Sequence, residues 1–227
     1  MRAEDAIATL RAQADPTRAA EMRAYHKQTR EVLGLSNALT GELAEIWRKS
    51  LDQPSLVLLA KGLWASDIFE ARICAGKLFV QARLRPEDTA AWACIAGLVP
   101  DFDSWAIADA VAMGGQKRLQ QDPARLTEVE GWIAAPHMWT RRAALVFTLP
   151  FTKSRHPSAT EADARTRVLG WCETLAPDRD WFIQKAIAWW LRELSKRDPD
   201  RVTGWLATHG ATLKPFALKE ASKHLDR

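Results

Sequence analysis

Phe69-Glu-Ala-Arg-Ile-Cys74, Trp139-Thr-Arg-Arg-Ala-Ala144 and Phe182-Ile-Gln-Lys-Ala-Ile187 share one pattern: an aromatic, two variable residues, a base, then a small or aliphatic pair. The basic slot recurs 70 positions on, from 72 to 142, and 43 further, at 185. Seventy is about two units. The missing middle copy starts at Trp105, whose base slot falls at Ala108, giving steps of 36 and 34. A short unit that recurs in this way cannot bury its own apolar face and must stack on its neighbours.

The chain around these copies reads as helix throughout. Apolar residues recur at three and four, as in Leu43, Ile46, Trp47 and Leu51, or Leu56, Leu59, Leu63 and Trp64, which is the period of one helical face. Sustained apolar-polar alternation and Asn-Gly or Asp-Gly hairpin turns are missing. Pro16, Pro54, Pro86, Pro123, Pro136, Pro157, Pro177 and Pro199 fall where proline starts or follows helices. The pattern predicts helices near 3–13, 16–29, 38–51, 54–65, 67–83, 86–98, 103–120, 123–134, 137–149, 160–175, 180–197, 200–208 and 213–225.

Repeat steps of this size lie near those of HEAT-type arrays. The expected fold is therefore all-α: an αα-superhelix of HEAT-like repeats forming a single domain over 1–227. Equivalent helices of such an array line one side, so Arg72, Trp105 with Asp109, Arg142, and Lys185 with Trp189 are expected on one concave, basic surface. The same register suggests a basic track of Arg72, Lys77, Lys117, Arg118, Arg141, Arg142, Lys153, Arg155, Lys185, Arg192, Lys219 and Lys223. Bases along a groove suit a phosphate backbone; the plainer reading makes them ordinary solvated faces.

Composition narrows the function classes. A net charge of +4 permits a polyanionic partner without requiring one. Cys74, Cys94 and Cys172 are far apart and each sits in an apolar helical pattern, which argues against a disulfide framework and a thiolate metal cage. The start, Met1-Arg-Ala-Glu-Asp5, leads into an amphipathic segment without an apolar signal core, and no run approaches a membrane span. A cytoplasmic protein is the expectation. Gly114-Gly115-Gln-Lys-Arg118 lacks the spacing of a phosphate-binding loop. His26, His137, His156, His209 and His224 are isolated, so neither metal nor cofactor is expected.

One stretch of the array stands out chemically. Asp103-Ser-Trp-Ala-Ile-Ala-Asp-Ala-Val111 places Trp105 and Asp109 four residues apart, on one face of an otherwise small and apolar helix. A carboxylate among alanine, isoleucine and valine is costly to bury unless a cation sits against it. That cation can be an arginine of the protein or a positively charged substrate.

Ser104-Trp-Ala-Ile-Ala-Asp109, Trp139-Thr-Arg-Arg-Ala-Ala144 and Asp180-Trp-Phe-Ile-Gln-Lys-Ala-Ile-Ala-Trp-Trp-Leu-Arg-Glu193 resemble the AlkD family of DNA alkylation-repair glycosylases. Tyr25-x-Lys27 followed by Leu33-Gly34 resembles that family's N-terminal segment, and Lys219-Glu-Ala-x-Lys-His224 its C-terminal helix. The resemblance runs over nearly the whole chain. It implies a C-shaped stack of HEAT-like repeats that removes N3- and N7-alkylated purines from duplex DNA without flipping the lesion. Carried over, Trp105 and Trp189 contact the damaged nucleotide's backbone, and Asp109 is the catalytic carboxylate. Arg142 falls on the phosphate side, Tyr25 near the lesion, and Trp181 with Phe182 near the duplex. Lys27, Lys185 and Lys219 complete the implied DNA-binding set. Val32 and Trp181 depart from the family's usual residues, which bears on lesion size.

An alkylated purine is cationic and already a good leaving group, and positive charge grows on the sugar as its bond breaks. A carboxylate placed there stabilises that charge or orients the attacking water, and indole faces attract the same cation. Taken singly, each aromatic here reads as repeat core, and Asp109 as a structural ion-pair partner of Arg142. No lysine adjoins Asp109 as a Schiff-base nucleophile, so the implied enzyme is monofunctional, with water as acceptor, and works as a monomer on double-stranded DNA. The alternative is a non-catalytic HEAT-like scaffold that binds DNA structures or a protein partner.

Overall fold

The structure is a computed structural model, and it describes residues 1–225. Thirteen α-helices account for most of them: α1 (Ala3–Ala12), α2 (Pro16–His26), α3 (Asn37–Ser50), α4 (Gln53–Ala65), α5 (Phe69–Lys77), α6 (Thr89–Leu98), α7 (Trp105–Gln121), α8 (Leu126–Gly131), α9 (Met138–Phe147), α10 (Ala159–Leu175), α11 (Trp181–Ser195), α12 (Pro199–His209) and α13 (Pro215–Ala221). Among the described residues the only β pairing is an isolated bridge between Glu31 and Ile68. No described helix is long and apolar enough to cross a membrane.

The helices match the predicted segments, and the main differences have identifiable causes. The second stops at His26 rather than 29 because Lys27 turns left-handed at φ 52° and its N–H closes back on Ala24. The fifth runs over Phe69–Lys77 rather than 67–83. Its entry is set by Asp67 at φ 54°, whose carboxylate is held by Arg30 and Arg72. The segment read as one helix over 123–134 is instead a short α-helix between two 3-10 turns, Pro123–Arg125 and Trp132–Ala134. Side-chain caps start several helices: Asp15, Ser36, Asp52, Ser158 and Asp180 each accept from first-turn N–H groups.

The chain folds as two compact units, Met1–Gln121 and the part from Asp122 onward. In the first, α3, α5 and α7 lie side by side with α5 in the middle, and α4 packs between α1 and α6 behind them. In the second, α11 is flanked by α9 and α13, with α10 and α12 against its other side. Helix pairs stacked in two layers around an apolar seam are the repeat arrangement the aromatic motif predicts.

The repeat period is visible in the hydrogen bonds themselves. Arg30 to Asp67, Trp64 Nε1 to Asp101, Lys77 Nζ to Thr40 Oγ1, and Leu84 N to Gln121 Oε1 all join residues 37 apart in the first unit. In the second, Arg141 to Asp178 and Arg167 to Glu130 span the same 37, and Trp205 Nε1 to Leu169 O spans 36. Within each unit, neighbouring repeats are therefore tied by polar groups about one period apart as well as by apolar contact.

Two glycines are required by close approach. Gly34, at φ 83°, brings the 27–35 loop so near the start of α2 that an added Cβ would lie 2.3 Å from Asp15 O. At Gly76 the backbones of α5 and α7 nearly touch: a Cβ would lie 2.6 Å from Val111 N and 2.8 Å from Ala110 C.

Candidate functional site

In the first unit the site is built at the start of α7. Arg30 donates through Nε to Asp67 at 2.9 Å and through its two terminal nitrogens to Asp103, at 3.0 and 2.5 Å. It thereby ties the entry of α7 to the entry of α5. Trp64 Nε1 donates to Asp101 at 3.3 Å from the same side. Arg72 pairs with Asp67 at 2.9 Å while its guanidinium lies 4.6 Å over the Trp64 ring. Burial, and then repulsion from Arg30, lower its pKa.

Helix α7 so fixed presents Trp105, at its first position and 38% exposed, and the half-buried Asp109 one turn on. Ile107, Ala108, Ala110 and Val111 beside Asp109 are buried. The spacing therefore delivers what the sequence suggests, a carboxylate in apolar surroundings sharing a helix face with an indole.

Trp105 does not stand alone. Tyr25 and His26, at the C-terminal end of α2, meet it with ring centroids 6.2 and 5.0 Å away. His26 also packs on Tyr25 at 4.8 Å and on the wholly buried Phe69 at 4.8 Å. Tyr25 is 73% exposed, and Lys27 follows it on the surface. Helix α2 has no buried residue; this aromatic contact, the Gly34 approach and the bond from Asp15 N to Leu33 O hold it. Burial pushes the pKa of His26 down.

A second group lies in the other unit, on α9, α11 and α13. Trp139 and Phe182 pack at 4.6 Å, Phe182 and Trp181 edge to face at 4.9 Å, and Trp181 stacks on Phe216 at 5.9 Å and 27°. Lys185 Nζ sits 4.6 Å over Trp181, and the Arg142 guanidinium 5.6 Å from Trp139. Trp181 and Lys185 are exposed, as is Lys219, three residues beyond Phe216 on α13. Trp189 is half-buried, one turn beyond Lys185. Arg142 is only 5% exposed, so its cation meets protein first. The start of α11 is set by buried Gln184, which donates to Ala176 O and Asp178 O and accepts from Lys214 N.

Several bases of the predicted track turn out to be internal. Lys77 is buried and donates to Asn37 O, Asn37 Oδ1 and Thr40 Oγ1 at 2.7–2.8 Å. Arg118 is wholly buried against Asp88 and Gln81 O. Arg141 bonds Asp178, Ala135 O and Pro136 O, and Arg192 pairs with Glu193 and Glu220. In a stack of repeats a long cationic side chain reaches the polar ends of the neighbouring helix, and a solvated face and an inter-repeat clamp look the same in sequence. Lys153, Arg155, Lys185, Lys219 and Lys223 remain exposed.

The sequence reading missed His26, Arg30, Asp103 and Phe216. Phe216 lies 35 residues beyond Trp181, so the repeat spacing was a usable signal. Arg30 and Asp103 are 73 apart, about two periods, and only the fold joins them. Among the described residues no group of three or more metal-ligand side chains occurs.

An all-helical repeat protein that sets an indole and a carboxylate side by side on a pinned helix is the class this structure defines. A family model described as DNA alkylation repair enzyme matches residues 6–225, and the chain belongs to that family. It is similar to a predicted DNA alkylation repair enzyme from Enterococcus faecalis, at 22% identity and a TM-score of 0.77 over 95% of this chain and 98% of that one. It is also similar to AlkD2 from Streptococcus mutans, at 20% identity and 0.63 over 85% and 92%. No curated protein matches. At these identities the solved structures speak for the fold.

Proposed function

We propose that the chain is a monofunctional DNA glycosylase, acting as a cytoplasmic monomer, that hydrolyses the glycosidic bond of N3- and N7-alkylated purines in duplex DNA without flipping the base. The observation that carries this reading is the Trp105–Asp109 face in a chain matched over 6–225 by a family of DNA alkylation repair enzymes.

The alkylated purine carries its own positive charge, so it departs with the bonding electron pair and becomes neutral without an acid. Charge passes to the sugar, where Asp109 stabilises the oxocarbenium-like centre. Water supplies the oxygen that bonds to the anomeric carbon, and its proton leaves to the carboxylate or to solvent. The Trp105 face attracts the same cation by about 0.5–2 kcal/mol. Tyr25, Lys27, Trp181, Phe182, Lys185 and Lys219 are assigned to DNA binding; Arg142, expected on the phosphate side, is buried and packs on Trp139. No step requires a metal or cofactor.

The test is release of free 3-alkyladenine or 7-alkylguanine from methylated duplex, with Asp109→Asn as the variant that binds DNA and frees little base. A second reading, a binding scaffold without chemistry, is favoured by the exposed Trp181–Lys185–Phe216 surface, which needs no catalysis to hold a backbone. Unaltered DNA affinity with no base released by the wild-type chain selects it.

A further inference from the structure

His26 takes no part in the proposed reaction, yet it sits in the middle of the aromatic group that carries Trp105. Its ring is packed between Phe69, at 4.8 Å and 41°, and Trp105, at 5.0 Å and 40°, with Tyr25 edge-on at 4.8 Å. Nδ1 is buried with no hydrogen-bond partner. A buried N–H without an acceptor costs more than a bare lone pair, so the proton of the neutral imidazole belongs on Nε2. Among the described residues no group bonds Nε2, and the residue is half-buried, which makes that edge the one solvent reaches.

We propose that His26 is a DNA-contact residue: held between Phe69 and Trp105, its ring presents Nε2–H as a hydrogen-bond donor to a phosphodiester oxygen of bound duplex. The proposal rests on the DNA-binding part of the function proposed above.

The surroundings allow the ring to change charge when DNA arrives. It faces Tyr25 on α2, Phe69 on α5 and Trp105 on α7. The charged groups of those elements are Arg18, Glu21 and Arg23 with the adjoining Lys27 on α2, Glu70, Arg72 and Lys77 on α5, and Asp109, Lys117 and Arg118 on α7. Glu70 is committed to the N–H groups of Leu33, Gly34 and Leu35. None of these charges shifts the imidazole; burial alone lowers its pKa. A phosphate at Nε2 raises the pKa of the ring against the cost of an unpartnered Nδ1–H, so binding takes up a fraction of a proton and affinity rises as pH falls below the ordinary 6.5.

The test uses the full chain and undamaged duplex, read by nitrogen NMR of the histidines and by fluorescence anisotropy. The free protein is expected to show the Nε2–H tautomer, assigned with His26→Phe, and duplex is expected to raise the pKa of that ring. His26→Phe keeps the packing and loses the donor; it is expected to bind about tenfold more weakly and to lose part of the gain in affinity between about pH 7.5 and 5.5. His26→Gln, which keeps a donor, is expected to recover part of the loss. An Nδ1–H tautomer, or His26→Phe binding within about twofold of wild type at both pH values, overturns the proposal. Because undamaged DNA is used, the two readings fail separately. DNA-linked titration of His26 in a chain that frees no base sinks the glycosylase alone, and base release with His26→Phe binding unchanged sinks the contact alone.

Discussion

Replacing Glu70 should cost more stability than replacing any surface acid, and the structure sets the size. Glu70 is wholly buried and accepts from Leu33 N at 2.9 Å, Gly34 N at 2.8 Å and Leu35 N at 3.2 Å. Glu70→Ala leaves three backbone donors in a dry pocket, each worth roughly 1–3 kcal/mol when orphaned. Water entering the space left by the side chain recovers part of that, so the expected loss is about 3–5 kcal/mol. Glu70→Gln keeps an oxygen for Gly34 and Leu35 but turns an amide N–H toward Leu33 N–H, for a loss of about 2 kcal/mol. In a chain of this size 1 kcal/mol moves Tm by about 2–4 °C, so the alanine variant is expected to melt about 10 °C lower. Differential scanning calorimetry reads the shift, and hydrogen exchange should speed up first at Leu33–Leu35, the loop that follows Tyr25 and His26. A Tm for Glu70→Ala within about 1 °C of wild type would refute the idea that this carboxylate holds the loop.

Gly76→Ala places a methyl against the backbone of α7 at Ala110 and Val111, so a loss of roughly 2–3 kcal/mol is expected. Base release should fall with it, because α7 carries Trp105 and Asp109; unaltered release in a destabilised variant would separate helix position from chemistry. Burial pushes the Cys74 thiol up to about 12 and raises Cys94 and Cys172 as well. The native chain is therefore expected to leave an aromatic disulfide reagent untouched near pH 8, and all three thiols to react in denaturant; fast labelling of the native chain would contradict this. For His26, the unfolded chain takes a proton near its ordinary 6.5 and the folded chain only at lower pH. The unfolded state thus binds more protons in that window: the stability is fully present above about pH 6.5 and is lost as pH falls toward the folded value. Urea titrations at about pH 5 and 7.5 should show this loss in wild type and a smaller one in His26→Phe.

Helix content and repeat stacking were legible because both rest on local periodicity: proline punctuation placed the helices, and the aromatic-base motif set their step. The exception at α5 arose where long-range polar contacts overrode local preference. Asp67 and Lys77, both tied to groups about one repeat away, bound α5 more tightly than its apolar pattern suggests. At the candidate site, the shared helix face of Trp105 and Asp109 followed from an i, i+4 spacing, while their roles came only from the family resemblance. The ring group around His26 could not, since it joins three elements that only the fold brings together. The basic residues were the least legible. Whether an arginine faces solvent or clamps the next repeat depends on the neighbour, as Arg118 and Arg141 show.

The central claim is that Asp109 stabilises charge on a sugar losing a cationic purine, and the direct measurement is the single-turnover release of 7-methylguanine from methylated duplex by wild type and Asp109→Asn. Wild type is expected to release the base without added metal, and the variant to lose roughly a hundredfold in rate while keeping its DNA affinity within about twofold. Equal release by the two proteins would contradict it.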